Sequence, residues 1–291
     1  MATSTAQNVL FDVQGPRARR VTLVLNLVGV LLVAALAWVV LGKLAEQGQL
    51  DAAKWTSLFT GRTWENFLLP GLWQTLRAAL LAVVLSIVFG LVFGLGRLSQ
   101  LAPVRLVSTV VVEFFRAVPV LVMMIFFYLG LGRAQLVEPA NVPFWAVVLG
   151  LMFYNGAVIA ELIRSGVHQL PRGQREAALA IGLTPARSLR LVELPQALTA
   201  MLPSMVSQFV VILKDTALGY IITYPELLAS ARRLGSGDGN ILQALFVAAL
   251  VFVVINYLLS VLAAWLSRFL SFRTAGRTKL SEGPLAGEDA A

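Results

Sequence analysis

An all-α protein that crosses a membrane several times is the fold class this sequence predicts, and three observations carry it. Of its 291 residues, 58% are hydrophobic and only 13% charged, about half the charged share of an average soluble domain. Apolar runs long enough to span a bilayer recur along the chain. The arginines and lysines between those runs gather in alternate segments, the mark of positive charge held at one membrane face.

Six transmembrane helices are expected. Residues 1–20 form a polar segment ending in Arg17, Arg19 and Arg20, followed by the first apolar run, 21–41. That run exceeds a usual signal-peptide core and no small-x-small cleavage site follows it, so it is read as an uncleaved helix. Residues 42–71 read as an external loop, part of it a short surface helix, with Trp55 and Trp64 suited to the interface. The remaining spans are expected at 72–96, 106–130, 143–163, 198–222 and 241–266. Gly90, Gly94 and Gly96 would let the second span approach a neighbour closely. The tail 267–291 is expected to be disordered. With the N-terminus inside, the N-terminal arginines, Arg97 and Arg105, the segment 165–197 and the basic tail all fall in the cytoplasm, so both termini are expected there.

Composition excludes several functions. There is no cysteine, and the single histidine, His168, cannot build a multi-histidine metal site. No GxxxxGK[ST] phosphate loop occurs, so this chain is not expected to hydrolyse ATP. The net charge of +8 is accounted for by the cytoplasmic bias without invoking nucleic acid.

The stretch Pro171–Pro195 is the most built of the connecting segments. Strong helix formers fill Gln174 to Ala180, Gly182 stands where a left-handed residue would stop that helix, and Thr184-Pro185 supplies an N-cap and a first-turn proline. The reading is helix, stop, tight turn, second helix. Arg172, Arg175, Arg187 and Arg190 surround small apolar residues, which suits either a groove on a partner or a solvated loop.

The spacing Glu176-Ala177-Ala178, Gly182, then Val192, Leu194 and Pro195 resembles the EAA loop of bacterial ABC-importer permeases, with Val192 for the usual isoleucine. Four further segments resemble the polar amino acid uptake branch of that family: Gly71 to Leu76, Phe115-Arg116-Ala117-Val118-Pro119, Tyr154 to Gly166, and Leu213 to Leu218. Within the branch, the extra first helix and the segments 48–55 and 115–124 look most like the second permease of actinobacterial glutamate importers. The resemblance implies a type I ABC-importer permease core of five helices, here 72–266, with one extra N-terminal helix and a cytoplasmic coupling loop, 165–197. It implies that Glu176, Ala177, Ala178, Gly182, Arg187 and Pro195 couple the chain to an ATPase subunit dimer. ATP and Mg would sit on that partner, with no cofactor, metal or catalytic residue in this chain. The further implied partners are a related permease subunit in a heterodimer, an extracytoplasmic solute-binding protein and a polar amino acid. The location is the bacterial cytoplasmic membrane.

Charges inside spans each need a reason, because one costs about 2.5–3.5 kcal/mol at mid-helix. Glu113 and Arg116, three apart near mid-depth of the third span, either line a substrate cavity or form a structural pair, and Pro119 invites a kink one turn on. Asn155 in the fourth span lines the path or bonds a neighbouring helix. Lys214 suits a substrate carboxylate, and Asp215 a substrate amino group or a helix contact. Glu161 and Arg164 read as a brace for the coupling loop. The expected function is inward transport of a polar amino acid, L-glutamate first and glutamine or another as the alternative. Rival readings are an ion-coupled secondary transporter, an intramembrane enzyme and a scaffold subunit. The EAA loop opposes the first, and the lack of an intramembrane histidine the second.

Overall fold

The structure, a computed structural model, describes residues 15–275, except the side chains of residues 16, 263, 264 and 266–275. Two compact units divide at Ser57. The first holds α1 (Pro16–Glu46) and α2 (Ala52–Thr56). Pro16 opens α1 at its first helical position, where a missing N–H costs nothing. Apolar side chains of α1 are exposed all round, Trp38 to 82%, as a helix solvated by lipid requires. Arg17, Arg19 and Arg20, read as part of a polar leader, lie on this helix.

The second unit contains α3 (Gly61–Thr63), α4 (Leu69–Arg97), α5 (Ala102–Ala117), α6 (Val120–Ala134), α7 (Val142–His168), α8 (Arg172–Ala180), α9 (Pro185–Ser188), α10 (Leu194–Asp215), α11 (Leu227–Asp238) and α12 (Ile241–Ala275). Wide π-turns at Trp64–Leu68 and Leu189–Glu193 join α3 to α4 and α9 to α10 without a break in the helical path. The helical stretches built on α1, α4, α7, α10 and α12 are each long and apolar enough to cross a membrane.

The third expected span is not one straight helix. α5 and α6 meet at a 99° bend. Val118 is extended (φ −82°, ψ 127°) and so is Pro119 (φ −58°, ψ 135°). A proline forbids the helical conformation to the residue before it and brings no N–H, so two extended residues replace one helical turn. Glu113 and Arg116 therefore sit at the end of a short helix rather than midway along a span. The tail also departs from expectation: α12 runs on to Ala275. The disorder expected of 276–291 lies outside the described residues. A helix not foreseen in the sequence, α11, occupies the connection before α12.

α7 is the centre of the second unit, with α4, α5, α6 and α10 packed against it. The face that α4 buries is a stripe of small residues: Gly71, Thr75, Ala78, Ala82, Ser86, Gly90 and Gly94. Nearly all are four apart, so they line one side of the helix; Gly90 and Gly94 let the α7 backbone come close, and Gly71 does the same for α11. A Cβ added at Gly90 would stand 2.7 Å from Ile159 Cβ and 3.1 Å from the Gly156 carbonyl oxygen. Leu151, Met124, Ile212 and Tyr224 fill the space beside this contact, each 1% exposed or less.

α11 is fastened to α4. Thr75 Oγ1 accepts from Leu227 N–H at 3.1 Å, and the Tyr224 hydroxyl donates to the Gln74 carbonyl at 2.7 Å. Glu226 caps α11, its carboxylate accepting from Leu228 N–H and Ala229 N–H, both at 2.7 Å. The side chain is wholly buried. Burial outweighs those two bonds and pushes its pKa from the ordinary 4.5 up to about 7.

Two predictions follow from this packing. Gly90→Val should lower the apparent melting temperature in nanodiscs, a loss of about 1–3 kcal/mol. Gly29→Val on α1, where an added Cβ meets nothing within 4 Å, should not. For Glu226 the raised folded pKa means the folded state holds a proton the unfolded chain releases. Its contribution is full below about 4.5 and is lost as pH rises towards 7. Amide exchange in α11, corrected for intrinsic rate, should be better protected at pH 5 than at pH 7.5, and Glu226→Gln should flatten that difference.

Candidate functional site

The segment Pro171–Pro195 folds as a capped helical hairpin. α8 ends in a Schellman arrangement: Gly182 takes φ 87°, its N–H bonds the Leu179 carbonyl at 3.0 Å, and Leu183 N–H reaches back to the Ala178 carbonyl at 3.1 Å. Thr184 then caps α9, its hydroxyl accepting from Arg187 N–H at 3.4 Å, with Pro185 in the first turn. Both caps stand where the sequence places them. Ala178 is buried against the rest of the hairpin, while Glu176, Ala177, Arg187 and Pro195 keep exposed or partly exposed positions. Ile181 at the tip is 79% exposed and Leu191 62%. The hairpin thus exposes large apolar side chains among its charges.

The hairpin is tied to what lies behind it. Ser188 Oγ donates to the Glu193 carboxylate at 2.7 Å, a buried bond inside the wide turn. Gln196 Nε2, on α10, donates to Gln174 Oε1 on α8 at 3.2 Å. At the other end α7 runs directly into the hairpin, and His168 Nδ1 lies 2.8 Å from the Arg164 carbonyl.

One turn back along α7 stands the densest charge cluster. Glu161 accepts from Arg164 at 2.6 Å, from Arg97 at 2.6 Å and from Arg116 at 3.3 Å. Glu113 takes Arg97 at 3.0 Å and Arg116 at 3.5 Å. Two carboxylates thus hold three guanidiniums drawn from α4, α5 and α7. The pairs Glu113/Arg116 and Glu161/Arg164, expected at different depths and in different roles, are one network. Arg97 joins them and was legible only as a loop charge. Its side chain is 7% exposed, and nothing local marks a residue whose two partners come from other helices.

Asn155 lies apart from that network. It is fully buried, donates to the Leu151 carbonyl at 2.9 Å and accepts from Gln208 Nε2 on α10 at 2.5 Å. That is an interhelical bond, one of the two readings open for it, and Gln208 is the partner no local pattern showed. Lys214 is exposed and Asp215 half-buried at the far end of α10. Neither has a hydrogen bond or ion pair to another described side chain.

The family profile of the binding-protein-dependent transport system inner membrane component matches residues 86–272, well over half of the chain and all within the second unit. The chain belongs to this family. Its relatives include the glutamate transport system permease protein GluD of Corynebacterium glutamicum, 46% identical over 236 residues, with 81% of this chain and 85% of GluD covered. The glutamate/aspartate import permease protein GltK of Escherichia coli O157:H7 is 34% identical over 69% of this chain and 92% of its own. Among solved structures, an amino acid ABC transporter superposes with a TM-score of 0.64 at 31% identity, over 69% of this chain and 92% of that one. The MetNI methionine transporter shares the fold, with a TM-score of 0.60 at 20% identity. The second unit is therefore a type I permease core, and α1 precedes the part of the chain that the family profile matches.

Removing the hub of the charge network should be costly. Glu161→Gln takes from the nearly buried Arg97 the closer of its two carboxylates, and from Arg164 its only one among the described residues, and should destabilise the fold by about 3 kcal/mol. Glu113, whose side chain is 53% exposed, should cost under about 1 kcal/mol as Glu113→Gln. Thermal unfolding of both variants in nanodiscs checks the ranking.

Proposed function

We propose that this chain is the permease subunit of an ABC importer for polar amino acids, with L-glutamate as the substrate. The observation that carries the reading is the double-capped hairpin Pro171–Pro195, which offers Glu176, Ile181 and Arg187 to a partner from a rigid base. GluD and GltK, each named for glutamate, support the substrate. The hairpin seats in a cleft of an ATPase subunit on the cytoplasmic side, and both chain termini lie on that side. Hydrolysis belongs to the partner. A related permease subunit completes a heterodimer, and a solute-binding protein delivers substrate from outside.

Closure of the ATPase pair pushes on α8. The push reaches α10 through the Gln174–Gln196 bond and the wide turn closed by Ser188 and Glu193. It reaches α7 directly, and the Glu161 network hands it to α4 and α5. The network moves with its hub, because pulling Glu161 away from the nearly buried Arg97 separates charges that water reaches poorly. The core then opens outward, and substrate passes inward along a path to which Glu113, Arg116, Asn155, Lys214 and Asp215 contribute.

The test is co-expression with the ATPase subunit, purification through this chain, and ATPase measurement in nanodiscs with a glutamate-loaded binding protein. Wild type should bring the ATPase with it and be stimulated. Glu176→Lys should weaken association at least about tenfold. Gly182→Pro should also uncouple, since proline cannot take the φ of 87° there. An intact chain that recruits no ATPase, with both variants like wild type, would return the ion-coupled transporter to first place.

A further inference from the structure

At the end of α10 away from the hairpin, two arginines stand with no acid to answer them. A cavity of about 750 Å³ is lined there by Tyr220, Thr223, Pro225, Ala229, Arg232 and Arg233, within the usual size range of small-molecule sites. The Arg232 guanidinium lies 4.9 Å over the Tyr220 ring centroid and donates to the Tyr220 hydroxyl. Arg233 makes one long bond, 3.4 Å to Ser230 Oγ. Neither has a carboxylate within ion-pair distance among the described residues. In the Glu161 network, by contrast, every arginine meets one. Of the two acids nearest in sequence, Glu226 is buried and engaged with the N-terminus of α11, and Asp238, at the other end of α11, forms no ion pair with either arginine.

The cavity wall is also strained. Thr223 adopts φ 62°, a left-handed conformation that a β-branched residue rarely takes. Strain of this kind, about 1–3 kcal/mol, concentrates at ligand sites. Here it turns the chain sharply between Tyr220 on one wall and Pro225 on the other. Lys214, exposed and beside Asp215, stands at the end of α10, just before the 3-10 turn Thr216–Ile222 that carries Tyr220.

We infer that this cavity is a carboxylate-recognition site that receives the side chain of a dicarboxylic amino acid before it enters the path. Arg233 and Arg232 supply charge-assisted hydrogen bonds, Tyr220 fixes the plane of the Arg232 guanidinium, and Lys214 is the next cation inward. The inference rests on the importer reading for the direction of travel and deepens it by naming the residues that separate an acidic substrate from its amide.

Saturation-transfer NMR on the full chain in phosphatidylcholine nanodiscs measures the site without transport. Sodium glutamate should give a signal about tenfold stronger than glutamine, and Arg232→Gln/Arg233→Gln should abolish the difference. Equal signals for the two amino acids, or an undiminished glutamate signal in the variant, would overturn the site. So would displacement of glutamate by added phosphatidylglycerol, which would make the cavity a lipid headgroup site. In proteoliposomes with ATPase and binding protein, the variant should lose about tenfold in glutamate kcat/KM while retaining ATPase co-purification. Wild type that shows the NMR preference yet takes up no glutamate would sink the importer's substrate and leave the site standing.

Discussion

Two helices in hydrocarbon gain nothing by hiding apolar surface from each other, since lipid is as apolar as leucine. What holds them is close contact, and in this core that contact is the small-residue stripe of α4 against α7. Gly90 faces Ile159, Gly94 faces Ala160 and Ile163, and Gly156 of α7 faces Phe89 in return. With the two backbones this near, Leu151 and Met124 are enclosed completely and Ser86 comes within reach of the Leu151 and Met152 carbonyls. The position of α7 then decides everything attached to it. Its C-terminal end carries Glu161, Arg164 and the hairpin, and its middle carries Asn155. The capped hairpin is thus mounted on the helix with the most neighbours.

Polar groups within the core are placed on the same logic. Four of them bridge two elements rather than decorating one: Asn155 to Gln208, Tyr224 to Gln74, Thr75 to Leu227, Arg97 to Glu161. Such bonds are modest singly, but they forbid a helix from rotating about its axis, which apolar contact alone does not. Arg77 belongs here too. Its guanidinium lies 4.5 Å over the Phe144 ring, a partner that asks for no counter-charge inside the membrane.

Much of this was legible in the chain because the deciding forces are local. Apolar length set out the helices built on α1, α4, α7, α10 and α12. The hairpin was legible to the residue, since a left-handed glycine and a Thr-Pro cap act over a single turn. The straight third span failed for an instructive reason: hydropathy is blind to direction, and Val118-Pro119 alters direction without altering hydropathy. α11 was missed because, within a mixed connection, its stability comes from Glu226 and from Thr75 and Gln74 on another helix. Arg97 was missed on the same ground. The charge pairs three apart could be read, but their fusion into one network is a fact about three helices at once.

The bend at Pro119 has a consequence for hydration. The last turn of any helix leaves carbonyls without intrahelical donors, and the residue that would serve the Phe115 carbonyl is itself a proline. Hydrocarbon supplies no donor in its place. The junction of α5 and α6 can exist only at a level where water or another polar chain meets it. The bend, beside the aromatic stack of Phe115, Phe153 and Phe127, thus carries a demand for a hydrogen-bond donor that a straight span would not make.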